Sequence, residues 1–161
     1  MTSNRSVLVM AAAFSACLAA CSPQQPTAPP DTRAADAAAI QQADADWAKA
    51  AEAKDLDKMV APYLDDAVIF PSSGLAVVGK DNIRKFFSRI AEGPNMRFAF
   101  SNVTVDVARS GDLAEDRGSM QVTVTDKKGK TTTQTGQYVL VYKKQADGSW
   151  KVAADTSAND K

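Results

Sequence analysis

From Met96 to Thr156 apolar and polar residues alternate with a period of two, a pattern that buries one face only if the backbone is a β-strand. Met96, Phe98 and Phe100 alternate with Arg97 and Ala99, and Val103, Val105 and Val107 take up the period again after Asn102. Leu113 to Thr125 sets Met120, Val122 and Val124 on one side and Gln121, Thr123 and Thr125 on the other. Lys127-Lys128-Gly129-Lys130 reads as a hairpin turn into a strand over Thr131 to Gln145. Asp147-Gly148 is a second turn, leading into Trp150 to Thr156. Ahead of the strands the period is helical. Arg33 to Ala53 is alanine-rich and free of Gly and Pro, with Ile40, Ala43, Trp47, Ala50 and Ala51 on one face. Asp55 caps a shorter helix whose apolar side is Leu56, Met59, Val60, Tyr63 and Leu64, with Pro62 loosening its last turn. Ala67 to Phe70 is a short strand ended by Pro71-Ser72-Ser73-Gly74, with Ala76 to Val78 placed to pair back on it. Ile83, Phe86, Phe87 and Ile90 mark a third helix, stopped by Gly93-Pro94. Helices followed by a run of antiparallel strands define an α+β fold, with helices packed on one face of the sheet.

Composition narrows the chemistry. The 161 residues include no His, which excludes Ser-His-Asp and Cys-His catalysis and every His-ligated metal centre. Nineteen basic residues against nineteen acidic ones leave no basic footprint for nucleic acid. Nothing resembles a calcium loop or a glycine-rich phosphate cradle, so neither a metal nor another cofactor is expected.

The first twenty residues read as an address. Val7 to Ala20 is an apolar run after a short polar start whose only charge is Arg5, too short to span a ~30 Å hydrocarbon core at ~1.5 Å per residue. It is followed by Leu18-Ala19-Ala20-Cys21, which resembles the lipobox of bacterial lipoproteins, where the cysteine becomes the lipidated N-terminus. An ordinary secretory signal with a chance Cys is the alternative. Ser22, in place of an Asp that would favour the inner membrane, makes the periplasmic face of the outer membrane the expected location. Loss of residues 1–20 removes Arg5 and Cys17, leaving 18 basic and 19 acidic residues, a net charge of −1, and no pair of thiols for a disulfide. Residues 21–32 hold four of the seven prolines and read as a tether, and residues 33–161 as one domain.

Within that domain several stretches resemble a known family. Trp47, Lys54-Asp55-Leu56, Tyr63-Leu64-Asp65-Asp66-Ala67-Val68 and Gly79-Lys80-Asp81-Asn82-Ile83 are similar to the first half of a SnoaL-like domain. Gly111-Asp112-Leu113-Ala114 with Gly118 resembles its middle. Gly136 to Tyr142 and Asp147 to Asp155 resemble its end. The resemblance is to the nuclear transport factor 2-like superfamily. It implies a curved antiparallel sheet wrapped around about three helices as a cone, a pocket for small, mostly apolar molecules, and dimerisation through the outer sheet face. It does not fix the chemistry, because the superfamily holds isomerases, dehydratases, cyclases and binders. In its ketosteroid isomerase-like members a general-base carboxylate lies just beyond the Asp-Asp-Ala strand. Here that stretch is Ile69-Phe70-Pro71-Ser72, and Trp47 stands where those members have a tyrosine. The histidines of scytalone dehydratase-like chemistry are absent.

The expected pocket lining is Trp47, Tyr63, Phe70, Asp116, Tyr138 and Asp155. Trp47 is either a pocket wall or a core aromatic, and Tyr63 divides between the same roles. Asp65-Asp66 is explained by helix-end and turn hydrogen bonding. Strict alternation places Asp116 on the apolar face, where burial would raise its pKa; the alternatives are a bulge near Gly118 that turns it outward, or pairing with a basic side chain such as Arg97. Asp155 falls one off the parity of Trp150, Val152 and Ala154 and is a pocket group or a structural acceptor. Arg117, on the opposite face, is exposed or at a dimer interface. Three functions are compatible with these residues. One is a lipid-anchored module binding a small apolar or amphipathic molecule. The second is an isomerase, dehydratase or cyclase with Asp116 or Asp155 as base and Tyr138 as donor. The third is a structural module that uses its sheet face.

Overall fold

The alanine-rich segment forms helix α1 (Arg33–Glu52) in the structure, a computed structural model that describes residues 31–160. The leader, Cys21 and the proline-rich segment up to Pro30 lie outside the described residues. The chain leaves α1 through Lys54 at φ 56°, a left-handed position usually given to Gly. Lysine serves here because its Nζ donates to the Gly93 carbonyl at 2.8 Å, closing the end of another helix. Asp55 then caps α2 (Leu56–Val60) by accepting from the Lys58 amide at 3.1 Å.

Helix α2 stops two residues before Pro62, so Tyr63 and Leu64 are not its last turn. They open strand β1 (Tyr63–Phe70), which is longer than the Ala67–Phe70 strand expected from the sequence. Asp65 and Asp66 are accordingly exposed strand residues rather than helix-end groups. Strand β2 (Val77–Val78) pairs back on β1, and helix α3 (Lys80–Glu92) follows and ends at Gly93. Four long strands complete the chain: β3 (Asn95–Val107), β4 (Leu113–Thr125), β5 (Thr131–Lys144) and β6 (Trp150–Asn159).

The sheet order is β2-β1-β6-β5-β4-β3. It is mixed rather than wholly antiparallel: β6 lies parallel to β1 while every other pair is antiparallel. The last strand thus closes onto the first, beside the helices. Two irregularities keep the inner face continuous. Between Ser101 and Thr104 the β3–β4 register shifts around Asn102, at φ 53°, so that Met96, Phe98 and Phe100 and then Val105 and Val107 all face inward. In β6 Val152 pairs with Tyr142 but Ala154 with Val141, so the extra residue reverses the parity from there on.

Ile40, Met59, Val60, Ile83 and Phe87 from the helices meet Ala67, Ile69, Ala114, Tyr142 and Val152 from the strands in one core. Burial of these side chains contributes roughly 1.5–3 kcal/mol for each large one. A polar clamp fixes the start of α1 to the sheet. Asp36 accepts from Lys144 Nζ at 2.7 Å, from Trp150 Nε1 at 3.1 Å and from Thr32 Oγ1 at 2.7 Å. The Lys144 ammonium also lies 5.5 Å from the Trp150 ring centre. Among the described residues no helix is long and apolar enough to cross a membrane.

Asp36→Ala leaves Lys144 and Trp150 without their shared acceptor. The expected cost is about 2–3 kcal/mol, read as a lower urea midpoint with secondary structure unchanged in the absence of urea.

Candidate functional site

The inner face of the sheet and the facing helices enclose a cavity of about 270 Å³. Its walls are apolar and aromatic. Helix α1 supplies Trp47, α3 supplies Phe86, Phe87 and Ile90, and β3 supplies Met96, Phe98 and Phe100. The Trp47 ring packs edge-on against Phe98 at 5.1 Å and Phe87 at 5.7 Å, while its Nε1 donates to the Met59 carbonyl at 3.0 Å. Trp47 is therefore both a core aromatic and a pocket wall.

Besides Ser72, Gln134, Ser157 and Asn159, the polar groups in and behind the wall include three phenol–carboxyl pairs. Tyr63 on β1 donates to Asp155 Oδ2 on β6 at 2.6 Å, Tyr142 on β5 to Asp44 Oδ1 on α1 at 3.0 Å, and Tyr138 on β5 to Asp116 Oδ1 on β4 at 3.3 Å. The parallel β1–β6 pairing makes the first pair possible, since it sets Tyr63 beside Val152, which shares the cavity face with Asp155. Gly118 makes room for the third. It stands opposite Tyr138, and a Cβ there would lie 2.9 Å from the Ser101 carbonyl and 3.1 Å from the Tyr138 ring.

Asp116 is fully buried behind the cavity wall, whereas Asp44, 7% exposed, lines the cavity. The two carboxyl groups are hydrogen-bonding neighbours, yet Oδ2 of each is buried without a donor. Two adjacent anions in such a site would repel each other, and one proton between them satisfies both oxygens. Burial pushes the Asp44 carboxyl up to about 8, the nearby Asp116 adds to the rise, and the Tyr142 hydroxyl opposes it. Burial also raises Asp116, while hydrogen bonds from Asp44 and Tyr138 work against the rise. Burial and proximity thus favour a shared proton on the pair. Burial lifts Asp155 to about 6 against the hydrogen bond from Tyr63. Burial raises all three phenols above their ordinary range, so they stay protonated donors.

Of the six residues expected to line the pocket, Trp47, Tyr63, Tyr138 and Asp155 do so. Phe70 does not. It is 49% exposed on the outer face, and its neighbour Ile69 takes the inward position. Asp116 sits one layer behind the wall. It is not turned outward, because the bulge is in β3 and leaves the β4 parity intact, and Arg97 pairs instead with Glu52 at 2.8 Å. Asp155 points inward because the extra residue in β6 reverses the parity that the sequence alone displays. Beyond β1, Pro71 and Ser72 do line the cavity without a carboxylate, but Asp155 reaches the same region from the adjacent strand. Asp44 and Tyr142 are absent from the sequence candidates. The available signal was an aspartate between Ile40 and Trp47, at helical spacing on the face those two define. Among the described residues no His/Cys/Asp/Glu group is arranged to hold a metal ion.

A mixed curved sheet folded over N-terminal helices, with a pocket between them, is the nuclear transport factor 2-like fold. Solved structures with this architecture include a ketosteroid isomerase-like protein from Erwinia carotovora atroseptica. It is 27% identical, with a TM-score of 0.66 over 78% of this chain and 97% of that one. Another is an NTF2-like protein of unknown function from Pseudomonas putida KT2440, 24% identical with a TM-score of 0.68 over 78% and 87%. A candidate dehydratase of the NTF2-like family from Streptomyces avermitilis is 16% identical, with a TM-score of 0.71 over 80% and 99%. The last two likenesses establish fold alone. Residues 32–155 match the SnoaL-like domain, and the chain belongs to that family. No curated protein matches the chain.

The native state retains protons on Asp44 and Asp155 that the unfolded chain releases near the ordinary carboxyl value of 3.8. Stability therefore falls as pH rises from about 4, towards about 8 for Asp44 and only to about 6 for Asp155, by up to about 1.4 kcal/mol per pH unit for each group within its window. Asp44→Asn supplies an uncharged donor to Asp116. The expected result is a higher urea midpoint than the parent's at pH 8, and a flatter midpoint–pH curve between pH 6 and 8.

Proposed function

We propose that this chain is a lipid-anchored periplasmic module that binds a small, mostly apolar or amphipathic molecule. The observation that carries the reading is the cavity, walled by aromatic and aliphatic side chains, with its ionisable groups confined to one carboxyl–phenol cluster. That is the usual composition of a small-molecule site, in which apolar area supplies affinity and a few polar groups fix orientation. Anchoring rests on the sequence: Leu18-Ala19-Ala20-Cys21 behind a short apolar run, with Ser22 favouring the outer membrane. A homodimer through the outer sheet face is supported by apolar Phe70 and Val139 beside the Arg117–Asp106 and Arg117–Glu115 ion pairs.

One observation favours a second reading, an enzyme of isomerase, dehydratase or cyclase type. Asp155, raised to about 6, lies 2.6 Å from a phenol in the cavity wall, which suits a general base working near neutral pH. The Asp44–Asp116 pair, where a shared proton is favoured, would be the matching acid.

Native mass spectrometry of the chain released by mild detergent from the membrane fraction is expected to show a retained small molecule. An empty pocket under those conditions, with no gain in stability on adding extracted lipids and metabolites, overturns the binding reading. With the retained molecule in hand, Asp155→Asn separates the two: unchanged binding without turnover in either protein supports the binder, and turnover lost in the variant supports the enzyme. Cys21→Ala is expected to move the chain from the membrane pellet to the soluble fraction. Retention in the pellet removes the lipid anchor.

A further inference from the structure

The cavity places negative charge where no side chain balances it. Asp44 from α1 and Asp155 from β6 line it, and Asp116 from β4 stands directly behind Asp44. Among the described residues no Lys or Arg lines the cavity: β1 and β5 contribute the phenols of Tyr63, Tyr138 and Tyr142, while α3 and β3 contribute only apolar side chains. Tyr63 and Tyr142 flank Val152 on the inner face, and their hydroxyls hold Asp155 and Asp44, so the two carboxyls belong to one end of the cavity. Asp44, more than nine-tenths buried, meets only a phenol and another carboxyl: Tyr142 donates to its Oδ1, and Asp116 is its carboxyl neighbour, so nothing positive faces it. Lys144 and Arg97, on strands that wall the cavity, are engaged elsewhere: Lys144 holds Asp36, and Arg97 holds Glu52.

Buried carboxylates are stable only when paired, hydrogen-bonded or protonated. An anionic ligand would add a like charge to this end of the cavity. A neutral apolar ligand would displace water from the carboxyls and give nothing in return. A cation reverses both penalties, and the aromatic rings of Trp47, Phe98 and Phe100 along the same cavity are favourable neighbours for an ammonium group.

We propose that the pocket selects a lipophilic organic cation, its ammonium group seated between Asp44 and Asp155 and its apolar body against Trp47, Phe98 and Phe100. This inference rests on the small-molecule reading and names the ligand class of the same site. The charge of the site then sets how selectivity varies with pH. Burial lifts Asp155 to about 6, so it is more fully ionised at pH 8 than at pH 5, where it takes up a proton.

The test uses benzyltrimethylammonium and neopentylbenzene, its neutral carbon isostere, titrated into the full chain at pH 8 and pH 5 with tryptophan fluorescence as readout. The quaternary nitrogen cannot titrate, so any pH effect belongs to the protein. At pH 8 the ammonium compound is expected to bind at least tenfold more tightly than the isostere, and the advantage is expected to shrink at pH 5. Asp155→Asn is expected to reduce the ammonium affinity at pH 8 and leave the isostere unaffected. Equal or tighter binding of neopentylbenzene at pH 8 overturns the cation proposal while leaving a small-molecule pocket in place. Failure of both compounds to bind overturns the cation proposal and counts against the pocket reading as well.

Discussion

A buried carboxyl pair, Asp44 and Asp116, joins helix α1 to strand β4, and the pocket is built against it. Neither carboxyl can leave the interior. Asp116 is fully buried on a strand paired along both edges, and Asp44 is held by Tyr142 from the next strand. If both were ionised, the repulsion and lost hydration would push α1 off the sheet, and the aromatic wall built on Trp47 would go with it. With one proton between them, the same two groups form a hydrogen-bonded link across the layers. The site is thus a place where stability and ligand chemistry draw on the same atoms, the usual condition for a binding or catalytic site inside a fold.

The polar contacts at the start of α1 work differently. Asp36 is held well below the ordinary carboxyl range, chiefly by Lys144, with Thr32 and Trp150 adding hydrogen bonds. That carboxylate is charged, paired and structural. Asp44 lies on the same face of the same helix, eight residues on, where no cation is within reach, and its carboxyl is raised instead. Two aspartates on one helical stripe therefore have opposite behaviour, decided by whether the facing strand offers an ammonium or a phenol.

The helices, the turns and the strand faces were legible because each rests on a local signal. Asp55 caps, Gly93-Pro94 stops, Asp147-Gly148 turns, and alternation marks the inner face of β3 and β4. What escaped was long-range. The parallel β1–β6 pairing depends on where the chain ends up after four strands, and no local pattern records it. Asp155 was displaced from its apparent parity by one extra residue in β6, and a bulge without Gly or Pro leaves no mark in the sequence. Asp44 was hidden because alanine-rich α1 shows little contrast between its faces, and an aspartate on such a helix passes for a solvated one. Tyr63 looked helical because Leu56, Met59, Val60 and Tyr63 share a helical spacing, yet Pro62 ended the helix earlier than that spacing implied.

The absence of histidine acquires a sharper meaning in this setting. A histidine beside these carboxyls would pair with them and lower their pKa values, as the Lys144 ammonium does for Asp36. Tyrosine instead donates a hydrogen bond and brings no positive charge, so Asp44 and Asp155 remain poised to exchange protons or to meet a cation. The three phenols do not titrate in the range where the carboxyls do, since burial holds each of them protonated. Every change of charge in the pocket between pH 5 and 8 therefore falls on the carboxyl groups. Whatever enters the cavity is met by apolar walls that are indifferent to pH and by one end whose charge is not. A ligand's own charge must answer to that end, whether the outcome is retention or proton transfer.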